Sequence, residues 1–434
     1  MARETSKNLR NMVMYSIYVR NYSKEGTFEA VKRDLGRIKS LGVDIIWLLP
    51  IHPIGVECRK GKLGSPYAIK DYREVNPELG SIEDFRSLVD AMHAHGMKCI
   101  IDVVFNHTSP DSWLAENHPE WFHKRADGSF GNKVGEWADV IDLDFTQAGL
   151  WGYLIDTLKM WADIVDGFRC DVAPLIPLDF WLRAKSEVAK GRPDCFWLSE
   201  SVEPAFTIAN RARGMVSLSD SEIFQAFDVC YEYDIFAFFH AYLDKKIALS
   251  SYAEKINMQE HIYPDNYVKL RYLENHDQPR AGFMIQNKKA RINWTAFVYF
   301  QKGMTLLYAG QENESKFRPS LFEKDAVQWN TGCDLSELLS RLYRMKKNPI
   351  LTDSTYYVST PAPDVLQAVH KSRRGTMLGF FCMNGEPSIL PVELQDGICT
   401  NLVDGSGVHV SGGKIANEGL PIILEISEDA PSIL

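Results

Sequence analysis

Val43-Asp44-Ile45-Ile46-Trp47-Leu48-Leu49-Pro50 is apolar almost without a break and is closed by a proline. A half-exposed strand would alternate. A continuous run predicts a parallel strand buried on both faces. Before it, Thr27 to Leu41 carries Phe28, Val31, Leu35, Ile38 and Leu41 at helical spacing and stops at Gly42. After it, Ser81-Ile82-Glu83-Asp84 reads as an N-cap with an acidic first turn. That helix carries Ile82, Phe85, Leu88, Val89 and Met92 and stops before Gly96, and Met97 to Phe105 is the next apolar strand. Strands and helices that alternate in this way predict a parallel sheet covered by helices.

Outward from this stretch the rhythm continues. Met12 to Tyr22 reads as the first strand. Past residue 145 come a helix (Leu150 to Val165), a strand (Val165 to Val172), a helix (Asp179 to Lys190) and the strand ending at Glu200. Phe227 to Tyr233, Val268 to Glu274 and Met304 to Tyr308 supply three more strands, and Leu335 to Lys347 the last helix. Eight strands of this kind suit an α/β (β/α)8 TIM barrel; a doubly wound open sheet also alternates, so the pattern alone keeps both. From Asn106 to about Phe145 no long periodic segment occurs, which inside a compact domain marks a functional excursion or a small subdomain. After Pro349, short β-type runs separated by Gly, Asn and Pro read as an antiparallel β domain. The expected division is a barrel over 1–106 and 146–348, an inserted domain B over 107–145 and a C-terminal β domain over 349–434.

The chain's 434 residues exceed the roughly 250 of a bare barrel. Its formal charge of −9 is a poor match to a nucleic-acid backbone, and the basic run Arg344 to Lys347 suits a helix C-terminus instead. No apolar stretch nears the roughly 20 residues of a membrane span. Met1 to Asn11 has no apolar h-region, and the eight Cys form no spaced framework. Cys99, Cys170, Cys195 and Cys230 fall in predicted strands as small hydrophobes, and reduced thiols point to the cytoplasm. Aromatics make up 12%, with ten Trp and eighteen Tyr, enough for a large core and for a cleft that stacks sugar rings.

Three acids close three of the apolar runs: Asp171 in Asp166-Gly167-Phe168-Arg169-Cys170-Asp171, Glu200 after Cys195-Phe196-Trp197-Leu198-Ser199, and Asp277 after Tyr272-Leu273-Glu274-Asn275-His276. In a parallel barrel the C-terminal strand ends converge on one face. Carboxylates gathered there suit glycosidic cleavage. Positions two apart share a strand face, so Arg169 and Asp171 point together and Cys170 points outward. The nearby guanidinium is expected to lower the Asp171 pKa, as a nucleophile wants. Glu200, approached by Phe196, Trp197 and Leu198, is expected to be raised by burial, as a proton donor needs.

Asp102-Val103-Val104-Phe105-Asn106-His107, Gly167-Phe168-Arg169-Cys170-Asp171, Leu198-Ser199-Glu200 and Asn275-His276-Asp277 resemble, in order, the four signature segments of the α-amylase family of glycoside hydrolases, family 13. Ser65 to Tyr72 resembles the tyrosine loop after the family's second strand. The resemblance spans residues 12 to 345 and extends to the C-terminal β domain. It implies a retaining α-glycosidase acting on α-glucans or malto-oligosaccharides, with Asp171 the nucleophile, Glu200 the general acid/base and Asp277 the transition-state stabiliser. Tyr67 would stack under the sugar being cleaved. His107, Arg169 and His276 would contact that sugar or the carboxylates, and Asp102 would orient the site from behind.

The resemblance also raises calcium. Many α-amylases carry a Lys-His pair after the nucleophile segment; here Ala173-Pro174-Leu175 stands there, and the loop Asn21 to Gly26 lacks the acids of the other common calcium site. No metal ligand is therefore assigned, with Asn106 the one residue of interest, and no cofactor is expected. An exo-acting α-glucosidase or a transglycosylase on the same scaffold keeps the same acids. A non-catalytic interaction module would lose them, and a phosphate-binding isomerase would want a Gly-rich loop by the last strands. The expected partner is an oligosaccharide or polysaccharide, with no nucleic acid or membrane and the oligomeric state unassigned.

Overall fold

In the computed structural model, which describes residues 4–134 and 137–426, eight parallel strands close into a barrel. They are β1 (Val13–Ile17), β2 (Ile45–Leu48), β3 (Lys98–Val103), β6 (Gly167–Cys170), β7 (Phe196–Ser199), β8 (Val229–Tyr231), β9 (Lys269–Arg271) and β10 (Met304–Tyr308), with β10 pairing back onto β1. This decides between the barrel and the open sheet. β2 is buried along its whole length, as its unbroken apolar run requires. Helices cover the outside; the one over Ile82–Ala94 starts with Ser81 and Asp84 in a reciprocal capping box and buries Phe85, Leu88, Val89 and Met92.

Several boundaries move. The first strand is only Val13–Ile17, and Val19–Tyr22 turns helical, because Arg20 and Asn21 hold loops at the barrel top. The Asn21 amide donates to the Ser320 carbonyl at 2.7 Å, and Arg20 donates to the Gly64 carbonyl at 3.2 Å. The helix expected over Thr27 to Leu41 breaks at Asp34 into Phe28–Arg33 and Leu35–Ser40. The Asp34 carboxylate is engaged there by Tyr22 and Arg37. β8 and β9 are shorter than their apolar runs, and Cys195 lies just ahead of β7 rather than in it.

Between β3 and β6 the excursion carries a two-stranded antiparallel ladder, β4 (His107–Thr108) with β5 (Ile141–Asp142). Gly135 and Glu136 of this stretch, like residues 1–3 and 427–434, lie outside the described residues. Past the barrel, β11 (Thr355–Ala362), β12 (Val365–Ser372), β13 (Gly375–Cys382) and β18 (Ile422–Ile426) form one antiparallel sheet. A second sheet joins β14 (Ser388–Pro391), β15 (Gly397–Thr400), β16 (Gly407–Ser411) and β17 (Lys414–Asn417) in the order β14-β17-β16-β15. Leu378, Phe380, Leu390 and Leu424 form the core between the sheets. Phe381 turns the other way, onto Phe297 of the barrel's helix layer at 5.2 Å between ring centroids.

Candidate active site

Strand register assembles the candidate site. β3 and β6 pair with Asp102 beside Arg169, and β6 and β7 pair with Cys170 beside Ser199. The next residue on each strand is therefore Asp171 beside Glu200. Their backbone N–H groups continue the ladder, Asp171 to the Val103 carbonyl at 2.9 Å and Glu200 to the Cys170 carbonyl at 3.0 Å. Gly167 permits this approach, since a Cβ there would collide with the Phe196 carbonyl oxygen.

Arg169, fully buried, is the hub. Its Nη1 donates to Asp102 Oδ1 and to Asp171 Oδ1, each at 2.8 Å. Its Nη2 lies 2.7 Å from Glu200 Oε1, a close ion contact whose N–H is not aimed along it. Trp47, Tyr67 and Tyr231 surround the guanidinium at 5.1, 5.7 and 5.5 Å from their ring centroids. Burial opposes its charge, but Asp102 and Glu200 outweigh burial and hold it protonated.

One cation among three buried carboxylates leaves a deficit. Burial pushes Asp171 up to about 6, against the pull of Arg169. The expectation that the guanidinium would lower this pKa is corrected: the site's dryness outweighs its cation. Glu200 rises further, to about 8, through burial first and then the charges of Asp171 and Asp277. Asp102 is raised by burial to about 6.

Asp277 differs. Its side chain is 43% exposed, against 9% for Asp171 and for Glu200. Burial would raise its pKa, but His276, Arg169 and Arg318 outweigh burial and lower it. The Asn275 side chain shapes the turn, accepting from the backbone N–H groups of Asp277 and Gln278 at 2.9 Å each. His276 Nε2 lies 3.0 Å from Asp277 Oδ2 and 2.7 Å from the Tyr67 hydroxyl, and the two rings stack at 5.6 Å. Tyr67 also donates to Asp102 Oδ2 at 3.1 Å, which links the tyrosine loop to the carboxylate cluster.

The structure thus brings Asp171, Glu200, Asp277, Arg169, His276, Tyr67 and Asp102 together. His107 is buried on β4, its ring 3.1 Å from the Asn106 amide and 5.4 Å from the Trp137 ring. Sequence reasoning missed Trp47 and Tyr231, whose signal was an aromatic at a core-facing strand position. It also missed Val172, whose backbone at φ 35°, ψ 42° is left-handed. A β-branched residue there stores about 1–3 kcal/mol of strain. Its N–H donates to Glu200 Oε2 at 2.8 Å, so the strained peptide orients the candidate acid.

The residues around Asn106 do not suit calcium. A cavity of about 500 Å³ brings Asn106, Lys133, Asp142, Asp144 and Leu175 together beside the excursion. The Lys133 N–H occupies Asp142 Oδ2 at 2.7 Å, and its ammonium donates to the Leu143 carbonyl at 3.2 Å. A hard cation needs six or more free oxygens, and here it would meet a resident positive charge. Among the described residues, no group of three or more His, Cys, Asp or Glu side chains is placed to hold a metal ion.

The family model for the alpha amylase catalytic domain matches residues 12–349, and that for the bacterial alpha amylase C-terminal domain matches residues 357–424. The chain belongs to the alpha-amylase family. The crystal structure of an alpha-amylase from Lactobacillus plantarum is similar at 42% identity and TM-score 0.96, over 97% of this chain and 100% of that one. A noncanonic maltogenic alpha-amylase, AmyB from Thermotoga neapolitana, is similar at 31% identity and TM-score 0.85, over 96% of this chain and 99% of that one. Among curated proteins, an alpha-1,4-glucan:maltose-1-phosphate maltosyltransferase of Burkholderia pseudomallei is 34% identical over 49% of this chain and 21% of its own length. Alpha-amylase MalA of Haloarcula japonica is 28% identical over 73% of this chain and 46% of its own. The chain thus spans about a fifth to a half of these two curated alpha-amylase-family relatives. Among the described residues no helix is long and apolar enough to cross a membrane.

Proposed function

We propose that the chain is a retaining α-glycosidase acting on α-1,4-linked glucans such as starch or maltodextrins. Asp171 would attack the anomeric carbon while Glu200 delivers its proton to the glycosidic oxygen, and the leaving sugar departs with that proton. The covalent glycosyl-enzyme is then attacked by water, whose proton returns to Glu200. Asp277 would stabilise positive charge on the ring, with Tyr67 stacked against the sugar and His107, Arg169 and His276 around it.

One observation carries this reading. A single guanidinium grips both reacting carboxylates, and their pKa values are separated in the useful order, about 6 for Asp171 and about 8 for Glu200. Between these values the nucleophile is ionised and the acid protonated. kcat/KM should accordingly be bell-shaped, with limbs near 6 and near 8 that belong to the coupled cluster. Two carboxylates sharing one guanidinium also suit the short separation of retaining enzymes, about 5–5.5 Å.

The same intermediate transfers its sugar to a second sugar when an acceptor outcompetes water. The maltosyltransferase names among the relatives favour keeping transfer as the second reading. The segment 107–145 is read as domain B and 349–434 as domain C, around a barrel over 1–106 and 146–348. Eight free Cys accord with a reducing cytoplasm.

The deciding experiment incubates the protein with starch, maltoheptaose, maltotriose, sucrose, trehalose and isomaltose. Products are separated by chromatography and the first anomer is read by NMR. The reading requires α-1,4 cleavage with the α-anomer first. A β-anomer first product, or no turnover of any α-1,4 substrate, overturns it.

A further inference from the structure

Tyr231 closes β8 and is fully buried. The residue is held from two sides. Its ring packs on Trp47 at 6.3 Å, Tyr233 at 5.5 Å and Tyr272 at 5.7 Å between ring centroids. Its backbone carbonyl accepts from Lys269 Nζ, on β9, at 3.1 Å. Lys269, buried, is itself bound by Asp220 and by Asp234, the latter at 3.0 Å. A neutralised ion cluster therefore pins the backbone behind the ring.

The hydroxyl of this fixed ring accepts from Arg169 Nε at 3.3 Å. Nη1 is committed to Asp102 Oδ1 and Asp171 Oδ1, each at 2.8 Å. A guanidinium is a rigid planar fork, so two anchored nitrogens set the third. Nη2 then stands 2.7 Å from Glu200 Oε1 with no N–H directed at it. Glu200 feels the cation's charge, but its directed hydrogen bond comes from the Val172 N–H, on Oε2 at 2.8 Å. A directed bond from the guanidinium would favour the ionised carboxylate further. Around Glu200 stand Asp102 on β3, Arg169 on β6 with Asp171 after it, Tyr231 on β8 with Tyr233 after it, and Asp277 after β9. Of these, Tyr231 is the neutral group bonded to the guanidinium.

We propose that Tyr231 is a positioning residue of the candidate site: by holding Arg169 Nε, its hydroxyl keeps Nη2 from closing a directed hydrogen bond onto Glu200. The acid thereby keeps the proton it must deliver. Without the hydroxyl, Nε becomes a buried donor with no partner, a costly state that favours rearrangement. Glu200 Oε1, already 2.7 Å from Nη2, is the acceptor within reach when the fork turns. This inference rests on the glycosidase reading above and deepens it, naming the group that holds the cation off the acid.

The test compares wild type with Tyr231→Phe, which keeps the ring and removes the hydroxyl, and with Tyr272→Phe, which removes a hydroxyl from the neighbouring ring. Thermal unfolding checks that both variants fold. In the kcat/KM profile of Tyr231→Phe on maltoheptaose, the upper limb should move from about 8 down by about one pH unit or more, the size of a guanidinium's effect on a carboxylate. Activity at pH 9, relative to the optimum, should then fall about tenfold below the wild-type ratio. Tyr272→Phe should keep the wild-type limb. Carboxyl NMR of protein isotope-labelled at its glutamates reads the same titration without substrate, the Glu200 signal being the one absent from Glu200→Gln. An upper limb or a Glu200 titration that stays in place in Tyr231→Phe, or an equal shift in Tyr272→Phe, overturns the proposal. If wild type turns over no α-1,4 substrate, the glycosidase reading has failed, and the NMR titration still decides whether Tyr231 holds Arg169 off Glu200.

Discussion

Arg169 and Arg271 are both buried barrel arginines, yet they live in opposite circumstances. Arg271 faces one acid: its Nη1 donates to Glu232 Oε2 at 2.9 Å, its Nε donates to the Lys302 carbonyl at 3.0 Å, and Glu232 Oε1 accepts the Tyr272 N–H at 3.0 Å. Arg169 faces Asp102, Asp171 and Glu200 at once. The first arrangement is balanced and structural. The second sets three carboxylates around one cation, where burial first and then the neighbouring carboxylate charges raise all three acids and leave a proton to move. Burial raises Glu232 in the balanced pair as well, so what sets the candidate site apart is the neighbouring carboxylate charge added to burial.

The largest expected effect comes from the deficit side. Asp171→Asn should lower kcat by about 10⁴-fold or more on every substrate, because the covalent step loses its nucleophile. Steady-state assays check this, and turnover within a factor of ten of wild type would break the comparison. Glu200→Gln should cost about 10²–10⁴-fold with natural leaving groups. It should spare the glycosylation step of an activated aryl glycoside, and azide should restore turnover of that substrate. Equal losses on both substrate types would remove Glu200 from the acid role.

On the balanced side, Arg271→Met leaves Glu232 buried without its partner and should lower stability by about 3–5 kcal/mol, read as a shift in the urea midpoint. kcat of the folded protein should stay near wild type. Should activity fall with little loss of stability, Arg271 would belong to the chemistry.

A smaller effect follows from the raised acid. Glu200 holds its proton more tightly folded than unfolded, at about 8 against an ordinary 4.5. Its stabilising contribution is full below the ordinary value and is lost as pH rises through about 8. Glutamine cannot ionise, so Glu200→Gln should melt above wild type by a margin that grows from pH 5 to pH 9. A constant margin would mean that Glu200 is not raised. The smallest effect is expected at Asn106 and Asp142, where Lys133 already supplies the charge: excess EDTA or added calcium should leave the melting temperature unchanged. A shift of several degrees would reveal a site with free oxygens.

Much of this was legible in the chain. The apolar run at residues 43–50, its flanking helices and the four acid-bearing segments carry the barrel and the candidate cluster, since burial on both faces and strand alternation are local consequences of sequence. The limits of that reading fell where distant groups compete. Met12 to Tyr22 looks like one strand until Asn21 and Arg20 are seen anchoring loops far along the chain. Asp34 breaks a helix whose apolar spacing is intact.

What the sequence determined by itself was which side chains exist at the ends of which strands, because periodicity follows from backbone geometry alone. What only the tertiary structure decided was their charge. Asp171 beside Arg169 reads as a lowered acid in the chain, and closing the barrel makes it a raised one, because burial removes the water and register brings Asp102 to the same guanidinium. Protonation depends on the summed field and on the local dielectric, and neither exists until the eight strands meet.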